Sequence, residues 1–163
     1  MSLAPDYYLN SVLDIPYERL WQQNIRGLIY DLDNTLAHFD RSNTVDGIQE
    51  MLVRLQKMGF AICLLTNNTN GRLRLFSHLQ LNGIANALKP MTRGVRQAMQ
   101  LMGTTQAQTA IIGDQLFSDV WAGKNAGITT ILVKPLTEKD FFFVKFKRLF
   151  ERWLLKRYGI HEA

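Results

Sequence analysis

Two aspartates one residue apart, Asp31 and Asp33, close the apolar run Gly27-Leu28-Ile29-Tyr30. That run reads as a buried strand, and strand alternation sends both carboxylates the same way. Their charges repel unless a cation or a shared proton intervenes. Such a pair suits phosphoryl transfer. One carboxylate can attack phosphorus to give an aspartyl-phosphate, while the other protonates the leaving oxygen and later takes a proton from water. Three more polar stations follow apolar runs: Thr66-Asn67-Asn68, Lys89 before Pro90, and Asp114 with Asp119 after Gly113. A Thr hydroxyl, the N–H groups of a turn and a Lys ammonium can stabilise charge on transferring oxygens. An Mg²⁺ ion held by carboxylates, a backbone carbonyl and waters would offset the acidic repulsion. Each station alone has a plainer reading: Thr66-Asn67-Asn68 and Asp119 could cap helices, and Lys-Pro is common. A capping role explains one acid of the Asp31/Asp33 pair, not two.

The elements that must position these groups alternate along the chain. Strands are predicted over Arg26–Tyr30, Phe60–Leu65, Ala85–Leu88, Thr109–Ile112 and Thr129–Val133. Helices are predicted over Val45–Met58, Gly71–Leu81, Thr92–Met102 and Asp119–Asn125, most ending near a glycine. This series predicts a parallel sheet with helices on both faces, a Rossmann-like three-layer α/β/α sandwich. In such sheets ligands bind beyond the carboxyl ends of the strands, where all four polar stations fall. Residues 1–25 and 136–163 read as extensions of one domain whose core spans about 25–135.

At 163 residues, 47% hydrophobic and 20% charged, the chain can bury a core and is not of disordered type. Cys63 has no partner cysteine and sits in an apolar run, so a buried thiol and a reducing cytoplasm are expected. No segment has the ~18 apolar residues of a membrane span, and the N-terminus lacks the build of a signal peptide. The net charge of +5 is unevenly placed. Residues 141–158 hold six Lys/Arg against Glu151, whereas the remainder carries thirteen basic and thirteen acidic residues.

The ordered set of stations resembles the haloacid dehalogenase superfamily of aspartate-nucleophile phosphatases. The motif Asp31-Leu32-Asp33-Asn34-Thr35-Leu36, then Thr66, then Lys89, then Gly113-Asp114 with Asp119, follows that family's four motifs. The resemblance implies Asp31 as nucleophile and metal ligand. It implies Asp33 as general acid/base and a ligand of Mg²⁺ through its carbonyl, Asp114 as a further ligand, and Asp119 as support for the metal's water shell. Thr66, Asn67 and Lys89 would hold phosphate. The chain is further similar to the YqeG-type subclass IIIA phosphatases, and through them to phosphatidylglycerophosphate phosphatases. Two departures stand out: Thr66 where Ser is frequent, and Leu88 where a basic residue often precedes the Lys.

About 30 residues separate Leu36 from Thr66, and Asn68–Lys89 has room for one helix, so no cap domain is expected. An uncapped site suits a phosphate on a large substrate, a phospholipid being the leading expectation. Phe146, Leu149, Phe150, Trp153 and Leu154 fall on one face of a predicted basic helix over about 139–158. That helix could pack on the sheet or touch an anionic membrane from the cytoplasmic side; nucleic acid is the weaker expectation. Small soluble phosphates, a phospho-accepting signalling domain and a non-catalytic scaffold are the rival readings. Paired aspartates at the first strand disfavour the signalling domain, and retention of both disfavours the scaffold. His38, His78 and His161 show no ligand spacing, and Tyr7, Tyr8, Tyr17 and Trp21 are expected to pack the N-terminal extension. Lys124 and Asn125 could approach the site.

Overall fold

The computed structural model describes residues 3–38 and 45–136. Its centre is one all-parallel sheet of six strands: β1 (Tyr7–Leu9), β2 (Gly27–Tyr30), β3 (Ala61–Leu65), β4 (Asn82–Ile84), β5 (Thr109–Gly113) and β6 (Thr129–Val133). The order is β1-β6-β5-β2-β3-β4. The motif-bearing strand β2 is therefore central, paired with β3 on one side and β5 on the other. Its residues are buried on both faces, as parallel strands between helical layers must be.

Alternation divides the core in two. Leu28, Tyr30, Ile62, Leu64 and Ile112 face one layer with the buried stripe Ile48, Met51, Leu52 and Leu55 of α2 (Ile48–Lys57) and with Tyr17 and Leu20 of α1 (Tyr17–Gln22). Ile29, Cys63, Leu65 and Ile111 face the other, against Val95, Ala98 and Met99 of α4 (Arg93–Met102) and Ala122 and Ala126 of α5 (Trp121–Ala126). The expected three layers are thus present. Cys63 is fully buried, and burial pushes its thiol up to about 12.

Four elements differ from the sequence reading. The strand expected at Ala85–Leu88 lies at Asn82–Ile84, because Asn86 and Leu88 adopt left-handed φ values of 50° and 55° that no strand allows. Asn82-Gly83 looks like a turn in sequence, yet pairs with Cys63 and Leu64 at the sheet edge. The helix expected over Gly71–Leu81 is a single α-turn, α3 (Asn70–Leu73), running into a 3₁₀ segment Arg74–Leu79. Leu73, Phe76 and Leu79 recur every three residues, the period of that tighter helix. Helical geometry expected from Asp119 begins earlier, in a π-turn over Leu116–Val120. Finally, β1 extends the sheet into the N-terminal segment, and Tyr17 there is a fully buried core residue.

Three residues make a weak strand, and Asp6 secures it. Its carboxylate accepts from the Thr130 N–H and hydroxyl at 2.8 Å each and from the Lys124 ammonium at 2.6 Å. Lys124 is thereby committed to β1 rather than to the strand-end site. Partial burial pushes the Asp6 carboxyl up, but Lys124 and Thr130 outweigh it and the net shift is below the ordinary 3.8. A lowered carboxyl contributes stability above the unfolded value and loses it as pH falls through the folded one. Asp6→Asn should therefore cost about 1 kcal/mol near neutrality, discounted for its exposure. Urea melts at descending pH should show the gap between the two proteins closing below 3.8; a gap independent of pH would contradict this.

Candidate active site

Four strand ends converge. The chain leaves β2 at Asp31 and folds back on itself, with Asp33 bridging to Ala37 and the Asn34 N–H donating to the Ala37 carbonyl at 2.8 Å. Asn34 is left-handed (φ 61°), a conformation Asn tolerates better than most residues. This tight return places Asp31 and Asp33 in different surroundings although they share one loop.

Asp31 is buried against Lys89, whose Nζ donates to Asp31 Oδ1 at 2.5 Å and to Asp119 Oδ1 at 2.6 Å. The Leu65 carbonyl takes a third bond from the same ammonium at 3.2 Å. Burial, then the charges of Asp119 and Asp33, push Asp31 up to about 7, with Lys89 opposing. Burial works against the Lys89 cation, but the two aspartates more than compensate, so it is held above the ordinary lysine range. Oxygens of Asp31, Asp114 and Asp119 lie within 4.8 Å of one another. Asp119 reaches this cluster because Gly113 has no side chain: a Cβ there would overlap the Asp119 carboxylate. An all-oxygen donor set with three carboxylates fits a hard divalent cation.

Asp33 faces neutral donors and one cation. Arg72 Nε donates to its Oδ1 at 2.7 Å, while Asn68 Nδ2 and the Thr66 hydroxyl donate to its Oδ2 at 2.6 and 3.3 Å. The Thr66 hydroxyl in turn accepts from the Asn68 N–H at 3.0 Å. Asn67 works differently from its neighbour. Its side chain accepts from the Lys89 N–H at 2.8 Å and donates to the Lys89 carbonyl at 3.1 Å, tying the β3 and β4 connections together. A pocket of about 110 Å³ opens between Asp31, Asp33, Asn34, Asn67, Lys89 and Ser118.

The structure thus gathers Asp31, Asp33, Thr66, Asn67, Lys89, Asp114 and Asp119 at one end of the sheet. Sequence reading overlooked Arg72 and the Thr35 hydroxyl, 3.4 Å from Asp31 Oδ2. Arg72 falls in the first turn of the helical segment that follows the Thr66 station, a place that could have marked it. The His38 backbone carbonyl accepts from Arg72 at 2.8 Å, and His78 pairs with Gln49 at an exposed position.

A six-stranded parallel sheet of this order, with acids and a buried lysine at its carboxyl edge, defines a Rossmann-like hydrolase. The chain belongs to the haloacid dehalogenase-like hydrolases, whose family pattern matches residues 19–133. It stands with the phosphatases of that superfamily. Probable phosphatase YqeG of Bacillus subtilis is 36% identical over 93% of this chain and 88% of its own length. Phosphatidylglycerophosphate phosphatase 1, chloroplastic/mitochondrial, of Arabidopsis thaliana is 24% identical over 96% of this chain. Glyceraldehyde 3-phosphate phosphatase of Pyrococcus abyssi is 26% identical over 78%. This chain spans 48% and 56% of those two proteins. Among solved structures, the cobalt-bound deoxy-D-mannose-octulosonate 8-phosphate phosphatase of Haemophilus influenzae shares the fold, with TM-score 0.57 and 19% identity over 84% of this chain and 91% of that one.

Proposed function

We propose that this chain is an Mg²⁺-dependent phosphomonoesterase that works through an aspartyl-phosphate on Asp31, and that its substrate is a phospholipid monoester of the phosphatidylglycerophosphate type. The observation that carries the reaction is the split within the pair. Asp31 is tied to Lys89 inside the acidic cluster, while Asp33 is held by Arg72, Asn68 and Thr66. Two carboxylates with such different partners can take the two different roles, nucleophile and acid/base, that the reaction requires.

Asp31, Asp114 and the Asp33 carbonyl would hold the ion, with Asp119 supporting its waters; when bound, it neutralises phosphate charge and orients the ester. The Asp31 carboxylate attacks phosphorus, and the departing alkoxide takes the proton of the Asp33 carboxyl. Asp33, now ionised, takes a proton from water as that water cleaves the acyl-phosphate. Inorganic phosphate leaves, and Asp31 is regenerated. Thr66, Asn67 and Lys89 hold the phosphate oxygens.

Arg72 acts as a positioning residue for Asp33. Arg72→Gln should lower kcat by roughly 10- to 100-fold on alkyl phosphates, which need a protonated leaving group, and much less on aryl phosphates, which do not. An equal loss on both ester types would remove Arg72 from this role.

The phospholipid reading is supported by the lack of any inserted domain between β2 and β4 among the described residues, and by similarity to the Arabidopsis enzyme. The protein would then work in the cytoplasm at the inner membrane surface. The basic helix expected over 139–158 lies outside the described residues. Similarity to the Pyrococcus enzyme favours small soluble phosphates as the second reading. Phosphate release from phosphatidylglycerophosphate, sugar phosphates, nucleotides and phosphopeptides, with Mg²⁺ and with EDTA, separates them. Turnover confined to sugar phosphates would reject the lipid, and turnover unaffected by EDTA would reject the metal.

A further inference from the structure

Outside residues 141–158 the chain is balanced in charge, but the balance is not uniform. Residues 51–113 contain seven Lys/Arg and no Asp or Glu. Three of them meet acids from outside that stretch, Arg54 with Glu18, Arg72 with Asp33 and Lys89 with Asp31 and Asp119, which leaves Lys57, Arg74, Arg93 and Arg96 as its remaining cations. At the start of α4, Arg93 and Arg96 are exposed.

Beside them is an unusual turn. Leu88 and Met91 are each 64% exposed, more than any other large apolar side chain among the described residues. The Met91 N–H donates to the Leu88 carbonyl at 2.9 Å, closing the turn. Leu88 sits at φ 55°, where Gly or Asn would fit at lower cost, yet the residue is a leucine pointed at solvent. A backbone outlier with an exposed apolar side chain next to a catalytic lysine is a reason to look for a ligand. The turn is also fixed in place: Asn67 clamps both the N–H and the carbonyl of Lys89, and the Ala87 N–H donates to the Thr66 carbonyl at 3.0 Å. A cleft of about 360 Å³ runs alongside, walled by Asn86, Leu88, Met91, Arg93 and Gln97.

We propose that the Leu88–Met91 turn and the first turn of α4 are the surface by which this protein sits on an anionic lipid bilayer. Leu88 and Met91 enter the acyl boundary, and Arg93 and Arg96 meet headgroup phosphates. Two exposed apolar anchors with Arg93 and Arg96 following them in the chain match an anionic membrane in both burial and charge. The surface rests on the lipid reading above and adds to it the orientation, with the Lys89 pocket facing the membrane.

The test uses the full chain and two paired variants, Leu88→Asn/Met91→Asn and Arg93→Gln/Arg96→Gln. Asn tolerates φ 55°, so the first pair should melt with the parent. Co-sedimentation with vesicles of equimolar phosphatidylglycerol and phosphatidylcholine measures binding without turnover. The parent should bind these vesicles and largely ignore phosphatidylcholine alone. The Asn pair should bind about tenfold more weakly or worse, and the Gln pair should lose most of the preference for phosphatidylglycerol. Both should hydrolyse a soluble aryl phosphate within about twofold of the parent. Vesicle binding unchanged in both variants, or absent in the parent, overturns the proposal. So does a fall from dimer to monomer by light scattering in the Asn pair with vesicle binding intact, which would make the turn a contact between copies. Loss of binding in the variants together with no hydrolysis of phosphatidylglycerophosphate by the parent would uphold the surface and reject the substrate.

Discussion

Asp31→Asn should abolish phosphate release, by at least about 10³-fold, while leaving the protein as stable as the parent or more so. The loss follows from chemistry: an amide is a poor nucleophile and brings no negative charge to a cation. The retained stability follows from the surroundings. Asp31 is buried, and burial with the charges of Asp119 and Asp33 already pushes its carboxyl up to about 7. A neutral isostere removes that repulsion, and Lys89 keeps Asp119 as its partner at 2.6 Å. Activity and melting temperature should therefore move independently. Asp33→Asn should look different. With an aryl phosphate the nucleophile can still attack, but no base then activates water, so a phosphoenzyme should accumulate and be recovered after acid quench from radiolabelled substrate. Full turnover in Asp31→Asn, or a phosphoenzyme formed by that variant, would refute the assignment.

The parts of this site legible in the sequence are those set by period and punctuation. Asp31 and Asp33 follow a four-residue buried strand, which marked its end as their place, but alternation did not show that the chain turns back there and gives them different partners. Lys89 and Asp114 stand where apolar runs stop, and a parallel sheet brings such stops to one edge. What the sequence concealed depends on tertiary contacts. Strand β1 is too short to show a pattern and exists because Asp6 is bonded to Thr130 and Lys124 across the chain. Strand β4 contains Asn82-Gly83, whose local preference for a turn is overridden by pairing with β3. Arg72 looks like one more surface arginine on a helix until the return of the chain at Asn34 delivers Asp33 to it. The left-handed Leu88 is the extreme case, since no propensity favours leucine there and its backbone is fixed from Asn67.

Lys89 carries the second large effect, and here stability and activity should fall together. Its side chain is 2% exposed and lies between Asp31 and Asp119, themselves 7% and 2% exposed. Removing one member of a buried ionic cluster leaves the remaining charge uncompensated, at a cost of about 3–5 kcal/mol. Lys89→Met fills similar volume, so the loss it causes is electrostatic rather than a cavity. For a domain of this size the melting temperature should drop by roughly 10 °C or more, and turnover by about 10²-fold or more as charge stabilisation of the phosphate is lost. Two further measurements bind this to the proposed metal. Mg²⁺ should raise the melting temperature of Lys89→Met more than that of the parent, because a divalent cation restores positive charge to the same carboxylates. Adding Asp119→Asn should recover much of the lost stability by deleting one of the two stranded anions, without recovering activity. If Lys89→Met melts with the parent, the two short ion pairs contribute nothing to the fold. If the double variant melts below the single one, charge repulsion is not what the lysine relieves.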